Sequence, residues 1–352
     1  MIALLLLLSF IVNPLTITPE NASGLQEMSR LEFGTHYANV LAFHPNRDFM
    51  LFSGHADGTL AHHDLTFSIS DEWAAHDGSV TGLAVIPDGT QLVSAGQDGC
   101  VYVWQIETRQ MLRELTGCSR GPITALALNE AGTWLAVGYQ SGLTQLYDFQ
   151  SGDKQASFFH KGDVVSLDFS SDYPLSQAVN TEWLAVADVG SVWIYELVDP
   201  AQEHIRLLAF FNVTYFEAIA DIQIQPGSGT LTDGIMVVSQ SPPQMWTTVG
   251  PMPRADIWSQ SELVYPQKVD FNQGGTLVAV AGCDVLRCVI EIFNAEMGLA
   301  EEQSIPWGER LLVLEGHSDQ HTDIAFSPQN VLLASASRDG VVILWGVPDD
   351  TS

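Results

Sequence analysis

The chain has 352 residues, of which 13 are Lys or Arg and 42 are Asp or Glu, so its formal net charge is −29. A protein that binds DNA or RNA needs a cationic face to displace counterions from the phosphates, and an anionic membrane surface repels a chain of this charge. The composition therefore argues against a nucleic-acid partner and against direct binding to an acidic membrane surface. The 29 Gly and 16 Pro residues favour many short strands joined by turns over long helices.

The N-terminal region contains a run of 11 mostly apolar residues, from Ile2 to Val12. A membrane-spanning helix needs about 20 such residues, whereas the apolar core of a secretory signal is shorter. We predict that residues 1–23 are a signal-like or anchoring segment and that the protein is exported to the extracellular space or the cell envelope. Any membrane tether would act through this segment alone. Because no Lys or Arg precedes the run, a cytoplasmic protein with a mis-assigned start is the alternative interpretation.

Two segments of the chain align without a gap over 29 positions, His76 to Trp104 and His317 to Trp345. Each contains an apolar strand, a turn with Pro, a second apolar strand with Ser, an Asp-Gly turn and a third strand that ends in Trp. Asp-Gly between two apolar runs is a strong hairpin signal, because Gly accepts a positive φ. The alignment therefore predicts an internally repeated, strand-rich unit.

Two sequence markers indicate seven such units. The last apolar residue of the first strand recurs at intervals of 41 to 55 residues, at Phe43, Val85, Leu128, Phe169, Ile224, Phe271 and Phe326. The third strands are predicted to end at His63, Trp104, Tyr147, Tyr195, Trp246, Phe293 and Trp345. Four-stranded propeller blades repeat every 40 to 45 residues or so. We attribute the two longest intervals to loop insertions at 170–182 and 294–310, which propeller geometry would place on one face.

The residues Gly316-His317, Ser335, Asp339-Gly340 and Trp345 resemble those of the WD-repeat family. The resemblance implies an all-β fold, a single seven-bladed β-propeller with four-stranded antiparallel blades over residues 28–347, followed by a short tail at 348–352. It is strong in units 2 and 7 and poor in unit 5, about 212–260. The segment before unit 1 is also similar to the lead-in of exported bacterial WD-repeat proteins.

The last unit has only three strands before its Trp345. The segment from Met28 to Phe33 is predicted to be an additional strand that precedes unit 1. Pairing this strand with the third strand of unit 7 would close the ring and leave no open sheet edge. We therefore predict that an N-terminal strand closes the propeller.

A Ser, a His and an Asp occur together twice, each time with a Trp, which is compatible with either a hydrolase triad or a structural network. The WD-repeat resemblance implies buried structural tetrads, and two copies argue against a single catalytic centre. The sets are His76, Ser94, Asp98 and Trp104, and His317, Ser335, Asp339 and Trp345. No G-x-S-x-G nucleophile elbow occurs. We predict that the protein is not an enzyme and has no cofactor or metal.

The histidines His55, His62 and His63 cluster near two aspartates and raise the possibility of a metal site. Adjacent residues of a strand point to opposite faces, so His62 and His63 cannot both face one ion. A structural role for these histidines is the favoured interpretation.

The four cysteines fall into two neighbouring pairs in the predicted blades. Cys283 and Cys288 flank the hairpin turn of unit 6, and Cys100 and Cys118 lie at paired ends of strands three and four of unit 2. We predict two disulfides, and hence an oxidising compartment. Four buried free thiols are the alternative.

The sequence shows no evident set of catalytic residues. We therefore predict that the propeller is a protein-binding scaffold. We expect it to be monomeric and to bind a protein partner that the sequence does not identify. Candidate contact residues are Gln97, Gln140 and Arg338 beside the hairpin turns, and Trp307 in the 294–310 insertion. The alternatives are an exported propeller hydrolase, which would need polar groups gathered around the central channel, and a Ca²⁺-dependent adhesion module, favoured only by the net charge.

Overall fold

The computed structural model describes residues 14–34, 36–66, 69–170, 182–199, 204–212, 218–226, 234–238, 244–247, 250–253, 260–296 and 308–349. Within these ranges the chain forms 28 strands and one short 3₁₀ turn, Ala22–Gly24. No helix in the described ranges is long and apolar enough to cross a bilayer. The fold is all-β, as the Gly- and Pro-rich composition predicts.

The strands group into consecutive sets that we number as blades. β1 (Gln26–Glu32) precedes blade 1, which consists of β2 (Ala38–His44), β3 (Arg47–His55), β4 (Thr59–Asp64) and β5 (Ile69–Ala74). Blade 2 has β6 (Val80–Val85), β7 (Gln91–Gly96), β8 (Val101–Gln105) and β9 (Met111–Thr116). Blade 3 has β10 (Ile123–Leu128), β11 (Trp134–Tyr139), β12 (Leu143–Asp148) and β13 (Lys154–Phe159).

The remaining blades follow in the same way. Blade 4 has β14 (Val164–Phe169), β15 (Glu182–Asp188), β16 (Ser191–Asp199) and β17 (His204–Asn212). Blade 5 has β18 (Asp221–Ile224), β19 (Gly234–Val238), β20 (Gln244–Thr247) and β21 (Gly250–Pro253). Blade 6 has β22 (Tyr265–Phe271), β23 (Leu277–Cys283), β24 (Cys288–Asn294) and β25 (Arg310–Glu315). Blade 7 has β26 (His321–Phe326), β27 (Leu333–Ser337) and β28 (Val341–Gly346).

Each set forms a four-stranded antiparallel sheet, and β1 supplies the fourth strand of blade 7, so that the described strands make seven sheets. The innermost strand of every sheet lies beside those of its two neighbours, and β26 lies beside β2, which closes a ring. Side chains of neighbouring blades interleave to form the apolar core between them. Hydroxyls add ties between inner strands: Thr81 Oγ1 donates to the Ile123 carbonyl at 2.9 Å.

The prediction of a seven-bladed propeller is corrected to six full blades, because the remaining sheet, blade 5, is reduced. The strands of the six full blades have five to nine residues, whereas three of the four strands of blade 5 have only four. Blade 5 also lacks the Asp-Gly turn; its Pro242-Pro243 lies outside the described residues. Apolar positions along the sequence mark where a strand lies but not how far it extends, so the sequence overestimates this unit.

Ring closure follows the predicted pairing, with a small change in bounds. β1 pairs antiparallel with β28 from Gln26↔Gly346 to Glu32↔Val341, with a bulge between Glu27 and Ser29. The Phe33 N–H continues the contact by donating to the Gly340 carbonyl at 2.9 Å. This pairing covers the outer edge of blade 7, which would otherwise expose unpaired backbone groups.

Part of the segment predicted to precede the domain packs onto the propeller. The Leu15 N–H donates to the Val347 carbonyl at 2.8 Å, and Ile17, Ala22 and Leu25 are buried in the core between blades 6 and 7. The folded domain therefore includes Leu15 and does not begin at residue 28. Residues 1–13, which contain the apolar run, lie outside the described residues.

Both predicted cysteine pairs are disulfide-bonded in the structure. Cys100 and Cys118 have a Cα–Cα distance of 4.5 Å, and Cys283 and Cys288 one of 3.9 Å. The first pair joins the residue before β8 to the residues after β9, and the second closes the β23–β24 hairpin. Free thiols are absent among the described residues.

Replacing each disulfide by an Ala pair should destabilise the protein, because the crosslink restricts the unfolded chain. The sequence separations are 18 and 5 residues. Loop entropy predicts a loss of about 3 kcal/mol for Cys100→Ala/Cys118→Ala and about 2 kcal/mol for Cys283→Ala/Cys288→Ala, measured by urea unfolding. A thiol assay on the unreduced, denatured protein from its native compartment provides the control. Four reactive thiols in that assay would contradict the assignment.

Candidate functional site: a hairpin-turn face supported by buried polar networks

The two predicted tetrads assemble as hydrogen-bonded chains inside blades 2 and 7. In blade 2, His76 Nδ1 lies 3.0 Å from the Asp98 carboxylate and His76 Nε2 lies 2.8 Å from Ser94 Oγ, which also accepts from Trp104 Nε1 at 2.9 Å. Burial lowers the pKa of His76, so the ring is neutral at pH 7. Its Nδ1–H then donates to the carboxylate, and the Ser94 hydroxyl donates to Nε2.

Blade 7 repeats this geometry with its own residues. His317 Nδ1 lies 3.1 Å from Asp339, and Ser335 Oγ lies 2.8 Å from His317 Nε2 and 2.9 Å from Trp345 Nε1. Both serines are fully buried, with 0% of their surface exposed. A buried hydroxyl that already has two partners is not presented to a substrate.

Each tetrad aspartate also orders the hairpin turn above it. Asp98 accepts the backbone N–H groups of Asp77 and Cys100 at 3.0 and 3.1 Å, and Asp339 accepts those of Ser318 and Val341 at 2.8 and 3.0 Å. The carboxylate thus joins the turn between strands two and three to the linker that enters the blade. The network therefore couples the buried side of a blade to its exposed turn.

Blades 1 and 3 place different polar groups at the same location. In blade 1, Ser53 Oγ lies 2.9 Å from both His55 Nε2 and His63 Nε2, and His63 Nδ1 bonds Ser70 at 2.8 Å. His63 occupies the position of the tetrad Trp. Burial lowers the pKa of His55 to about 4 and that of His63 to about 3, so both rings are neutral. In the described residues, no group of three or more His, Cys, Asp or Glu side chains is arranged to hold a metal ion.

In blade 3 the hydroxyls of Tyr139 and Tyr147 donate to Gln145 Oε1 at 3.2 and 2.8 Å. This network was not predicted from the sequence. An aromatic at the end of the third strand with Gln two residues before it is the only sequence signal that could have indicated it.

Blade 6 replaces the tetrad with a buried ion pair that the sequence analysis also missed. Glu291 is fully buried, and Arg310 Nη1 donates to its carboxylate at 2.8 Å. The Ser261 hydroxyl and the Glu262 N–H add donors at 2.5 and 3.0 Å. A buried carboxylate is tolerated only with such a complete set of donors. Nothing in the local sequence pattern marks Arg310 as its partner, since the two residues lie on different strands.

The predicted contact residues Gln97, Gln140 and Arg338 occupy equivalent exposed positions at the hairpin turns of blades 2, 3 and 7. Their backbone N–H groups donate to the carbonyls of Ser79, Pro122 and Gln320 at 2.9, 3.0 and 2.9 Å. The backbone of each turn is therefore held against the linker of its own blade, while the side chain faces solvent. Trp307 and most of the 294–310 and 170–182 insertions lie outside the described residues.

Carboxylates from four inner strands line the central channel, a cavity of about 320 Å³. Asp168, Asp270 and Asp323 accept the N–H groups of Ile224, Phe326 and Leu41 in the next blade at 2.6 to 2.7 Å. They therefore tie neighbouring blades together. Burial raises the pKa of Asp168 to about 7 and that of Asp323 to about 6, and raises the pKa of Asp270 as well.

One cation, Lys268, lies in the same channel, with its Nζ 3.8 Å from Asp221 Oδ2. Burial alone would lower the pKa of Lys268, but the carboxylates of Asp221 and Asp323 raise it above its usual value. Asp221 also accepts the Ser166 hydroxyl at 2.7 Å. The polar groups of the channel are thus engaged with one another and with the backbone of adjacent blades.

Removing the tetrad hydroxyl tests whether these networks are structural. Ser94→Ala or Ser335→Ala leaves a buried indole N–H and a buried imidazole nitrogen without a partner, which should lower the free energy of unfolding by about 1 to 3 kcal/mol. Ser141→Ala, at an exposed turn position, is the control and should change it by less than about 0.5 kcal/mol. Equal unfolding free energies for all three variants and the wild type would contradict the structural role.

The channel carboxylates should make stability depend on pH. Folding raises their pKa values above those of the unfolded chain, so their contribution to stability is present below about pH 4 and is lost as the pH rises through about 6 to 7. The pKa values of buried His55 and His63 are lowered, so their contribution to stability increases as the pH rises. The variants Asp168→Asn and Asp323→Asn keep an acceptor oxygen but do not titrate. Comparing them with the wild type therefore isolates the contribution of the carboxylates to the pH dependence of stability.

Between about pH 5 and about pH 8, the free energy of unfolding should fall more with rising pH in the wild type than in either Asn variant. Asp153→Asn, in an exposed turn, should retain the wild-type dependence. Chemical denaturation at the two pH values measures the difference. Parallel pH dependences in the wild type and the channel variants would show that these carboxyls titrate normally.

Comparisons with known proteins agree with the repeated units. The WD40 family, described as "WD domain, G-beta repeat", matches residues 67–105 and 308–346, which contain the two complete tetrads. A WD repeat-containing protein 91 homolog of Dictyostelium discoideum is 31% identical over 99 residues, covering 26% of this chain and 13% of that protein. Protein groucho of Drosophila melanogaster is 28% identical over 133 residues, 38% of this chain and 18% of that protein.

A U3 snoRNP-associated protein-like protein of Arabidopsis thaliana, EMB2271, is 26% identical over 138 residues, 33% of this chain and 29% of that protein. The chain thus spans less than a third of the length of each of these three relatives. Their similarity concerns the repeats, and the resemblance to exported bacterial proteins stays a prediction. The two matching repeats, their tetrads and these relatives support a WD-repeat family for this chain.

Proposed function

We propose that this protein is a non-catalytic scaffold that binds partner proteins through its hairpin-turn face, defined as the turns between strands two and three of each blade together with the linkers that enter the blades. The observation that carries the proposal is the repeated geometry of Gln97, Gln140 and Arg338. In three blades, an exposed side chain projects from a turn whose backbone N–H is bonded to the blade linker at 2.9 to 3.0 Å. A surface that is ordered before binding loses little conformational entropy when a partner docks.

The chemistry of the most triad-like residues supports a scaffold over an enzyme. Ser94 and Ser335 are buried and engaged on both sides, by His and by Trp. The channel aspartates bond backbone N–H groups of the adjacent blade. Proteins of this family generally act as interaction platforms, which agrees with these contacts.

We place the protein outside the cytoplasm. Two disulfide-bonded cysteine pairs favour an oxidising compartment, since thiols are kept reduced in the cytosol. The apolar run at 2–12 supports export. Because Ile17 and Ala22 are core residues, removal of a leader would have to occur ahead of Leu15 to leave the propeller intact, so the leader would be shorter than the predicted segment 1–23.

Quantitative co-purification from the native source tests the proposal. The variant Gln97→Ala/Gln140→Ala/Arg338→Ala removes the three turn side chains, and Gln110→Ala/Gln150→Ala/Arg47→Ala removes the same residue types from exposed positions on the opposite face. We expect a partner protein enriched with the wild type to fall by about tenfold with the first variant and to stay unchanged with the second.

The two variants should share the thermal unfolding curve of the wild type, since all six side chains are exposed. A partner that is lost only with the opposite-face variant, or is retained by both variants, would overturn the assignment of the binding face. Folded wild-type protein without any enriched partner would overturn the scaffold proposal itself.

A further inference from the structure

The hairpin between β23 and β24 has an unusual apolar tip. The corresponding turns of blades 2, 3 and 7 contain Asp-Gly or Ser-Gly, whereas this turn reads Asp284-Val285-Leu286-Arg287. Val285 is 82% exposed and Leu286 is 92% exposed, the two highest values among the large apolar residues of the described chain. Turn positions usually hold polar residues or Gly, so two neighbouring aliphatic side chains in water call for an explanation.

Three independent constraints hold this tip in place. Asp284 Oδ1 accepts the N–H groups of Leu286 and Arg287 at 2.5 and 2.8 Å. The Cys283–Cys288 disulfide closes the hairpin directly below the turn. The Arg287 guanidinium bonds Glu315 and lies 3.3 Å from Asp284 Oδ2. Val285 and Leu286 are therefore displayed on an ordered turn and not on a flexible loop.

Two further exposed apolar residues lie beside the base of this hairpin. The Val264 N–H donates to the Cys283 carbonyl at 3.1 Å, and Tyr265 is in register with Cys283. Both side chains are exposed. We call the four residues Val264, Tyr265, Val285 and Leu286 the blade 6 tip.

Acidic side chains surround the blade 6 tip. Glu262 and Glu315 are each 59% exposed, and the nearest cation, Arg287, is already shared among Asp284, Glu262 and Glu315. Glu262 is fixed from below by Arg310, which lies 3.1 Å away and holds the buried Glu291. With Glu291 and Arg310 included, four carboxylates against two guanidinium groups leave the rim negative, in line with the charge of the whole chain.

We propose that the blade 6 tip is a docking site for a partner-protein segment that carries apolar side chains flanked by Lys or Arg; this rests on the proposed scaffold function and names the chemistry of the partner. The apolar centre supplies the desolvated contact, and the acidic rim selects the basic flanks. A second copy of this chain would bring a like-charged rim against the first, and an anionic membrane would be repelled by the same carboxylates.

Short synthetic peptides test the proposal directly with the full-length protein. One peptide has a Leu-Phe-Leu core with Lys flanks, a second has the same core with Glu flanks, and a third has Lys flanks around a Ser core. We expect the first to bind at least about tenfold more tightly than the other two, and to weaken as salt is raised. Equal binding of the Glu-flanked or Ser-core peptide, or no binding of the first, overturns the proposal.

Two variant pairs locate the contact. Val285→Ser/Leu286→Ser should reduce the affinity for the Lys-flanked apolar peptide by about tenfold, whereas Met111→Ser/Leu112→Ser, at another exposed apolar pair, should leave it unchanged. Glu262→Gln/Glu315→Gln should remove most of its salt dependence, and Glu107→Gln/Glu130→Gln should not. Because all these side chains are exposed, the circular dichroism melt of each variant should match the wild type. If a tip variant and its control variant lose affinity or salt dependence equally, the assignment of the contact is overturned.

The same variants separate this inference from the scaffold proposal. The native partner could be lost with the variant at Gln97, Gln140 and Arg338 but retained by the Val285→Ser/Leu286→Ser variant. That result would overturn the docking site at the blade 6 tip and leave the scaffold proposal intact. Binding of the wild type to anionic vesicles, or dimerisation in sedimentation that the tip variant abolishes, would assign the tip to a membrane or to a second copy and also overturn the proposal.

Discussion

The pairing of β1 with β28 is the constraint on which the rest of the structure depends. Blade 7 has only three strands of its own, and the strand Gln26–Glu32 completes it and covers its edge. The same pairing connects the two ends of the ring, so that the inner strand of blade 7 stays against that of blade 1, where Asp323 accepts the Leu41 N–H at 2.7 Å. A closed ring cannot open at one position without losing the contacts between two blades. The rigidity of the hairpin-turn face follows from this closure.

Within the closed ring, each blade has to stabilise the junction between its second and third strands, and the blades do so with different chemistry. Blades 2 and 7 use His, Ser, Asp and Trp, blade 1 uses Ser53 between two histidines, blade 3 uses Gln145 between two tyrosines, and blade 6 uses the Glu291–Arg310 pair. In each of these five blades the central polar group bonds to residues of the same blade. This variety supports the interpretation of Ser94, His76 and Asp98 as one of several structural solutions. It also leaves the exposed turns free to differ, and the Val285-Leu286 turn of blade 6 is where they differ most.

Features that are determined by the local sequence pattern were predictable from the sequence. Asp-Gly turns, the Trp104 and Trp345 positions, the closing strand and both cysteine pairs depend on strand alternation and turn chemistry, which are visible in a short window. Features that depend on partners distant in sequence were not. The Glu291–Arg310 pair spans two strands, the reduced extent of blade 5 reflects how far its strands can pair, and the burial of Ile17 depends on blades 6 and 7. Gln97, Gln140 and Arg338 could be identified as exposed turn positions, but their common backbone geometry becomes visible only in the folded ring.

Hydrogen–deuterium exchange of the full chain, with and without a proline in the closing strand, tests closure most directly. We expect the amides of β28, and those amides of β1 that bond to β28, to be protected. We expect Leu31→Pro, which removes an amide and disrupts the β1 ladder, to raise exchange in β28 and also in β2 of blade 1. A β1 whose amides exchange freely in the wild type while β28 stays protected would contradict this closure. The same conclusion would follow if Leu31→Pro left the exchange of β28 and β2 unchanged.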